Sequence, residues 1–174
     1  GIEVANMSLG IAGCSDGGDS TSTLVNSAVN AGIVMTVSAG NEGPGTCTIG
    51  SPAAAENAIT VGAMSDVEPM SSSVNFSCGP APYRGFYQVC FSSRGLTADN
   101  RLKPDISSPG VFINAASQGT TSDYKELSGT SMSSPFTAGL TALMLDANPG
   151  LTPSNVKLTI ETSALNWGPV SKDK

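Results

Sequence analysis

The sequence predicts an α/β fold: a parallel β-sheet with flanking helices and a buried central helix. Three observations carry this. Val4-Ala5-Asn6-Met7-Ser8-Leu9, a periodic segment and Ile33-Val34-Met35-Thr36-Val37 follow one another within about forty residues, as strand, helix and strand do in a βαβ unit. The strand segments are nearly continuous apolar runs, which suits strands buried on both faces. Finally, no charge occurs between Glu126 and Asp146, so the helix expected over Ser131 to Asp146 is apolar almost all round.

In chain order, the first strand ends at Gly10 and a Gly/Asp/Ser loop follows over residues 13–20. The next helix carries Leu24, Val25, Ala28 and Val29 on one face and stops at Gly32. Asp16-Gly17-Gly18-Asp19-Ser20 has the oxygens of a calcium loop, but Asp19 or Ser20 reads better as the cap of that helix. Ala58-Ile59-Thr60-Val61-Gly62 is a further strand. Residues 65–90 form a polar excursion, and Val111-Phe112-Ile113 restarts a strand after Pro109-Gly110. In the apolar helix Met132, Phe136, Leu140, Leu143 and Met144 share one face. Thr152-Pro153 opens a last helix, with threonine as cap and proline in the first turn.

Composition sets limits. The 174 residues amount to one domain or most of one, with net charge −6, which argues against nucleic acid and polybasic membrane contact. No apolar run reaches spanning length, and no charged-then-apolar leader begins at Gly1. Cys14, Cys47, Cys78 and Cys90 lack CxxC spacing, and the chain has no histidine, so zinc and redox readings are weak and disulfides in an oxidising compartment are expected. Three connectivities are open. The favoured one joins Cys78 to Cys90 across a short Gly/Pro/aromatic loop, and Cys14 to Cys47. Asn6-Met7-Ser8 and Asn75-Phe76-Ser77 fit the short glycosylation pattern.

Two segments carry chemistry. Gly129-Thr130-Ser131-Met132-Ser133-Ser134-Pro135 puts Ser131 at the start of the apolar helix, where unpaired N–H groups and the helix dipole favour developing negative charge. Gly129 allows close backbone approach, and Pro135 falls in the first turns, where its missing N–H costs least. Ser38-Ala39-Gly40-Asn41-Glu42-Gly43 places an asparagine directly after a buried strand, at the carboxyl end of a parallel sheet, where open α/β sheets build their sites. A serine hydroxyl needs a base to take its proton, usually histidine, and none is present. The chain therefore holds half of a catalytic site.

These segments resemble the subtilisin-like serine proteases, the subtilases. Asn6-Met7-Ser8-Leu9-Gly10, the Asn41 segment, Phe91-Ser92-Ser93-Arg94-Gly95 and the Ser131 segment stand in that family's order. Gly50-Ser51-Pro52 leading to Ile59-Thr60-Val61-Gly62-Ala63, and Leu102-Lys103-Pro104-Asp105-Ile106 before Pro109-Gly110, also look like the family. The resemblance covers nearly the whole chain. It implies Ser131 as nucleophile and Asn41 as oxyanion donor together with the Ser131 N–H. It implies Ser8, Leu9 and Gly10 as the edge that pairs with an extended polypeptide substrate. Ser38, Ala39 and Gly40 would form the opposite wall of the specificity pocket, with Gly129 and Thr130 beside the nucleophile.

Family triads run Asp, His, Ser along the chain. The resemblance therefore implies that residues 1–174 are the carboxyl-side part of a subtilase catalytic domain, incomplete at both ends. The Asp and His would be supplied by a missing N-terminal part, and the chain alone would be inactive. Phe136 stands where the family usually has a non-catalytic histidine. No cofactor or metal is expected for the chemistry; structural calcium is expected only by resemblance, with no ligands assigned. The protein is expected to be secreted. The competing reading is a non-catalytic peptide-binding module that kept the fold. An α/β-hydrolase esterase fails, because Gly129-Thr130-Ser131-Met132-Ser133 lacks the second glycine of G-x-S-x-G.

Overall fold

The structure, a computed structural model, describes residues 1–66, 86–119 and 121–166. Its centre is a sheet in which β1 (Val4–Met7), β2 (Val34–Ser38), β3 (Ile59–Ser65) and β7 (Ile106–Pro109) run parallel in the order β1-β2-β3-β7. β4 (Tyr87–Gln88) returns antiparallel to Met64 and Ser65 at the end of β3. Two small hairpins lie off the sheet: β5 (Gly95–Leu96) with β6 (Leu102–Lys103), and β8 (Ile113–Ala116) with β9 (Tyr124–Leu127).

Both faces of the sheet are covered. On one, α1 (Ser20–Asn30) packs Val25 and Val29 against Met35, Val37, Ala39 and Ile49. On the other lie α2 (Thr130–Ala147) and α3 (Pro153–Ser163), where Val156 and Ile160 meet Val34, Ile59 and Val61. Asp19 caps α1, accepting from the Thr21 and Ser22 amides at 3.0 Å each. Thr152 caps α3, accepting from the Asn155 amide at 3.2 Å. On α1 the buried positions are Ser22, Val25 and Val29; Leu24, expected among them, is 70 % exposed.

Two further expectations need correction. The strand expected at Val111-Phe112-Ile113 begins only at Ile113, because Phe112 has φ 54° and its N–H donates to Ser128 Oγ at 2.9 Å. That strand pairs with β9 and not with the central sheet, where Ile106–Pro109 takes the expected place. The second correction concerns α2. Its buried residues are Thr130, Ser133, Ser134, Thr137 and Thr141, while Phe136, Leu140 and Leu143 are 56 %, 42 % and 69 % exposed. Small hydroxyl residues let the helix lie close across all four parallel strands. A Cβ on Gly110 would overlap Ser133 Oγ, and Ser108 and Thr137 share a buried hydroxyl hydrogen bond of 2.8 Å. The apolar side faces outward.

Cys14 and Cys47 form a disulfide with Cα atoms 5.0 Å apart. Cys90 is also disulfide-bonded; Cys78 lies outside the described residues, as does Asn75-Phe76-Ser77. Among the described residues no group of three or more His, Cys, Asp or Glu is placed to hold a metal ion.

Candidate active site

The carboxyl end of β2 and the start of α2 meet although about ninety residues separate them. Gly129 is the N-cap of α2, at φ 156°, and no side chain caps the helix. Its N–H donates to the Gly110 carbonyl at 2.8 Å, which fixes where the helix begins. Thr130 is fully buried and couples the two segments. Its N–H and hydroxyl donate to Asn41 Oδ1 at 3.0 and 3.1 Å, and its Oγ1 accepts from the Gly40 N–H at 3.2 Å. With Oδ1 held by Thr130, the Nδ2 end of the Asn41 amide is the end available to donate into the cleft.

Gly40 sits at φ 106°, and a Cβ there would come within 2.7 Å of Ser93 Oγ. Ser93 braces the Asn41 loop: its N–H donates to the Gly40 carbonyl at 3.0 Å, and its hydroxyl donates to Glu42 Oε2 at 3.0 Å. Neighbouring Ser92 accepts from the Ala63 N–H at 3.0 Å. The Phe91-Ser92-Ser93 segment thus supports the loop from behind.

A cleft of about 220 Å³ lies between these elements. Leu9 and Gly10 line one wall, Ser38 to Asn41 the other, and Thr130 and Ser131 the inner end. All the site residues singled out in the sequence line it except Ser8 and Gly129. Ser8 instead donates its hydroxyl to the Ser131 carbonyl at 2.8 Å. Ser131 is half-buried.

Sequence reasoning assigned no role to Ile11, Ala12, Glu42, Gly50, Ser51 or Ala53, which complete the lining. The Ile11 N–H donates to the Ser51 carbonyl at 2.8 Å, and the Ser15 N–H to the Ile49 carbonyl at 2.9 Å. A Cβ on Gly50 would overlap the Ile11 carbonyl oxygen, so glycine there lets the Gly50-Ser51 floor of the cleft pack directly against the backbone that continues the Leu9-Gly10 wall. The signal for this was Gly50-Ser51-Pro52 itself, though closure depends on chain far away in sequence. Asp19 reaches the same floor, its Oδ1 accepting from Ser51 Oγ at 2.6 Å. Burial works to raise the Asp19 carboxyl, but hydrogen bonds from Ser22, Ser51 and the Thr21 amide outweigh it. They hold the group well below the usual carboxylate range.

Away from the cleft, Lys103 and Asp105 form a buried ion pair of 2.6 Å, and Lys157 approaches the other Asp105 oxygen at 3.1 Å. Asp105 Oδ2 also accepts from the Thr60 N–H at 2.7 Å, tying β7 to β3. Burial pushes the Lys103 amine down to about 8 against the opposing pull of Asp105.

Comparison with known proteins gives the family. Residues 1–173 match the subtilase family, Peptidase S8. The chain is 39 % identical over 155 residues to the serine protease AprX of Bacillus subtilis, covering 82 % of this chain and 33 % of that protein. It is 34 % identical over 169 residues to a subtilisin of Bacillus pumilus, covering 96 % of this chain and 51 % of the relative. Among solved structures, Sphericase superposes with a TM-score of 0.72 at 28 % identity, over 94 % of this chain and 49 % of that one. The chain thus spans about half, or less, of these proteins.

Proposed function

The chain belongs to the subtilase family, and on that premise we propose that it is part of the catalytic domain of a longer serine endopeptidase. Ser131 is its nucleophile. The observation that carries this is the meeting of Ser131 and Asn41 in one cleft, at the start of a helix whose N-cap, Gly129, has no side chain to close it. Ser131 Oγ attacks the carbonyl carbon of an extended polypeptide laid between Leu9-Gly10 and Ser38-Ala39-Gly40. The Asn41 Nδ2 and the Ser131 N–H donate to the oxyanion. The C–N bond breaks, the amine leaves with the proton taken from Ser131, and water hydrolyses the acyl-enzyme. This chemistry asks for no cofactor. The chain contains no histidine, so the base that carries the proton, and the Asp that orients it, come from outside these 174 residues. The 174 residues alone are then inactive. The disulfide supports an extracellular location, and no helix among the described residues is long and apolar enough to cross a membrane.

The test is made on the longer protein. A fluorophosphonate probe should label Ser131, and peptide turnover should vanish in Ser131→Ala. Labelling elsewhere, or turnover surviving that change, would remove Ser131 as nucleophile. Peptide binding without labelling or turnover would favour the non-catalytic module.

A further inference from the structure

We propose that Asn6 and Ser8 are positioning residues for Ser131: the Asn6 amide aims the Ser8 hydroxyl at the Ser131 carbonyl, replacing a helical donor that Pro135 lacks. The inference rests on reading Ser131 as the nucleophile. In an α-helix the carbonyl of residue i accepts from the N–H of residue i+4. For Ser131 that residue is Pro135, which lies inside α2 and has no N–H. A proline ring also crowds the carbonyl four residues before it, which here is again Ser131. The nucleophile's own backbone is therefore the place where the helix ladder is broken.

β1 repairs it. Ser8 Oγ donates to the Ser131 carbonyl at 2.8 Å. A hydroxyl has one proton, so Ser8 can only accept from its other neighbour. Asn6 Nδ2 meets that requirement, donating to Ser8 Oγ at 3.0 Å. The Asn6 amide is in turn fixed from its oxygen end. Its Oδ1 accepts from Ser134 Oγ at 2.6 Å and from Thr36 Oγ1 at 3.2 Å, and Asn6 and Thr36 are register partners in the sheet. The relay thus grips α2 at residues 131 and 134, on either side of its first full turn. On the other side of the nucleophile, the Thr130 N–H is held by Asn41. The Gly129–Thr130 peptide unit and the Ser131–Met132 peptide unit are thereby both anchored to the sheet side of the cleft. Asn6-Met7-Ser8 has the form of a glycosylation acceptor, yet its exposed amide nitrogen is already donated to Ser8 Oγ.

The test is a double-mutant cycle in the longer protein, pairing Ser8→Ala with Pro135→Ala. Alanine at 135 returns the missing N–H. We expect S8A to lower kcat about tenfold, with KM within about twofold, and the loss to shrink to under about threefold in the P135A background. Asn6→Asp keeps the acceptor oxygen but removes the donor to Ser8. Its loss should match that of S8A, and the pair N6D/S8A should be no worse than either alone. Equal S8A losses in both backgrounds, or N6D and S8A losses that multiply, would overturn the relay. If the wild-type protein shows neither turnover nor probe labelling, the nucleophile reading fails by itself. The same cycle is then read on melting temperature, where rescue of S8A by P135A supports the relay and strict additivity overturns it.

Discussion

α1 and α2, on opposite faces of the sheet, begin in opposite ways. α1 starts on Asp19, whose carboxylate takes the Thr21 and Ser22 amides and also the Ser22 and Ser51 hydroxyls. Its positive end is closed by a full charge from the chain itself. α2 starts on Gly129, with no side-chain cap, and its Thr130 N–H is given to an asparagine at the end of β2. The helix whose start lies away from Ser131 has its dipole satisfied internally. The helix whose start faces the cleft leaves its remaining field to whatever binds there. The same division runs along α2, which presses hydroxyl residues onto the sheet and turns Phe136, Leu140 and Leu143 outward.

The largest expected effect lies at the open start. Asn41→Ala removes the proposed oxyanion donor and the acceptor for both Thr130 bonds. In the longer protein kcat should fall about 10²–10³-fold with a smaller change in KM, the magnitude already established for loss of an oxyanion-hole asparagine in a subtilisin. A loss confined to KM would mean that Asn41 shapes the pocket without stabilising charge. The next effect is on the inner face of α2. Thr137→Leu forces extra carbons between helix and sheet at a fully buried site and breaks the bond to Ser108. Stability should drop by roughly 1–3 kcal/mol, measured by denaturant melts. No loss would show that the close helix–sheet contact is softer than its hydroxyl packing implies.

The closed start should respond to acid. A carboxyl held below its unfolded range adds stability above about pH 4, and that stability is lost as pH falls through the unfolded value towards the folded one. Asp19→Ala should therefore cost about 0.5–2 kcal/mol at neutral pH. The gap from wild type should narrow as pH drops below about 4. A gap that stays constant to about pH 2 would mean that the Asp19 charge contributes nothing to the cap. Because Asp19 also holds Ser51 on the cleft floor, KM in the longer protein should rise a few-fold (about 1 kcal/mol for one lost bond).

The contrast also explains what could be read from the residues alone. β1, β2, β3 and α1 were visible because apolar runs and one cap specify them locally. β7 was not, because Ile106-Ser107-Ser108-Pro109 has no apolar run. It is held by β3 on one edge and by the Ser108–Thr137 bond to α2 above it. The extent of α2 was legible, but hydropathy read it as buried nearly all round and did not mark the hydroxyl face that meets the sheet, since close approach selects for small volume before it selects for apolar surface. In the cleft, Ser131 and Asn41 announced themselves by residue type. The floor at Gly50 and Ser51 and the hydroxyl of Ser8 did not, because their roles exist only once distant segments meet.

The smallest effect should come from the outward face of α2. Phe136 and Leu143 are more than half exposed in this chain, so replacing either by serine removes little buried area. At about 25 cal/mol per Å² and roughly 30–50 Å² of buried area lost, the cost in the 174-residue chain should be about 1 kcal/mol. It is thus at the lower end of the range for Thr137→Leu on the inner face, although serine for phenylalanine is by hydropathy the harsher change. The same substitutions in the longer protein discriminate further. If additional chain lies over this face, each should cost about 2–4 kcal/mol there, as loss of a large buried side chain does. Paired denaturant melts of the two lengths measure both numbers. A loss of about 2 kcal/mol already present in the short chain would mean that the face is packed without further cover, and the inversion of α2 would not hold in solution. Equal small losses at both lengths would leave the face open in the longer protein too.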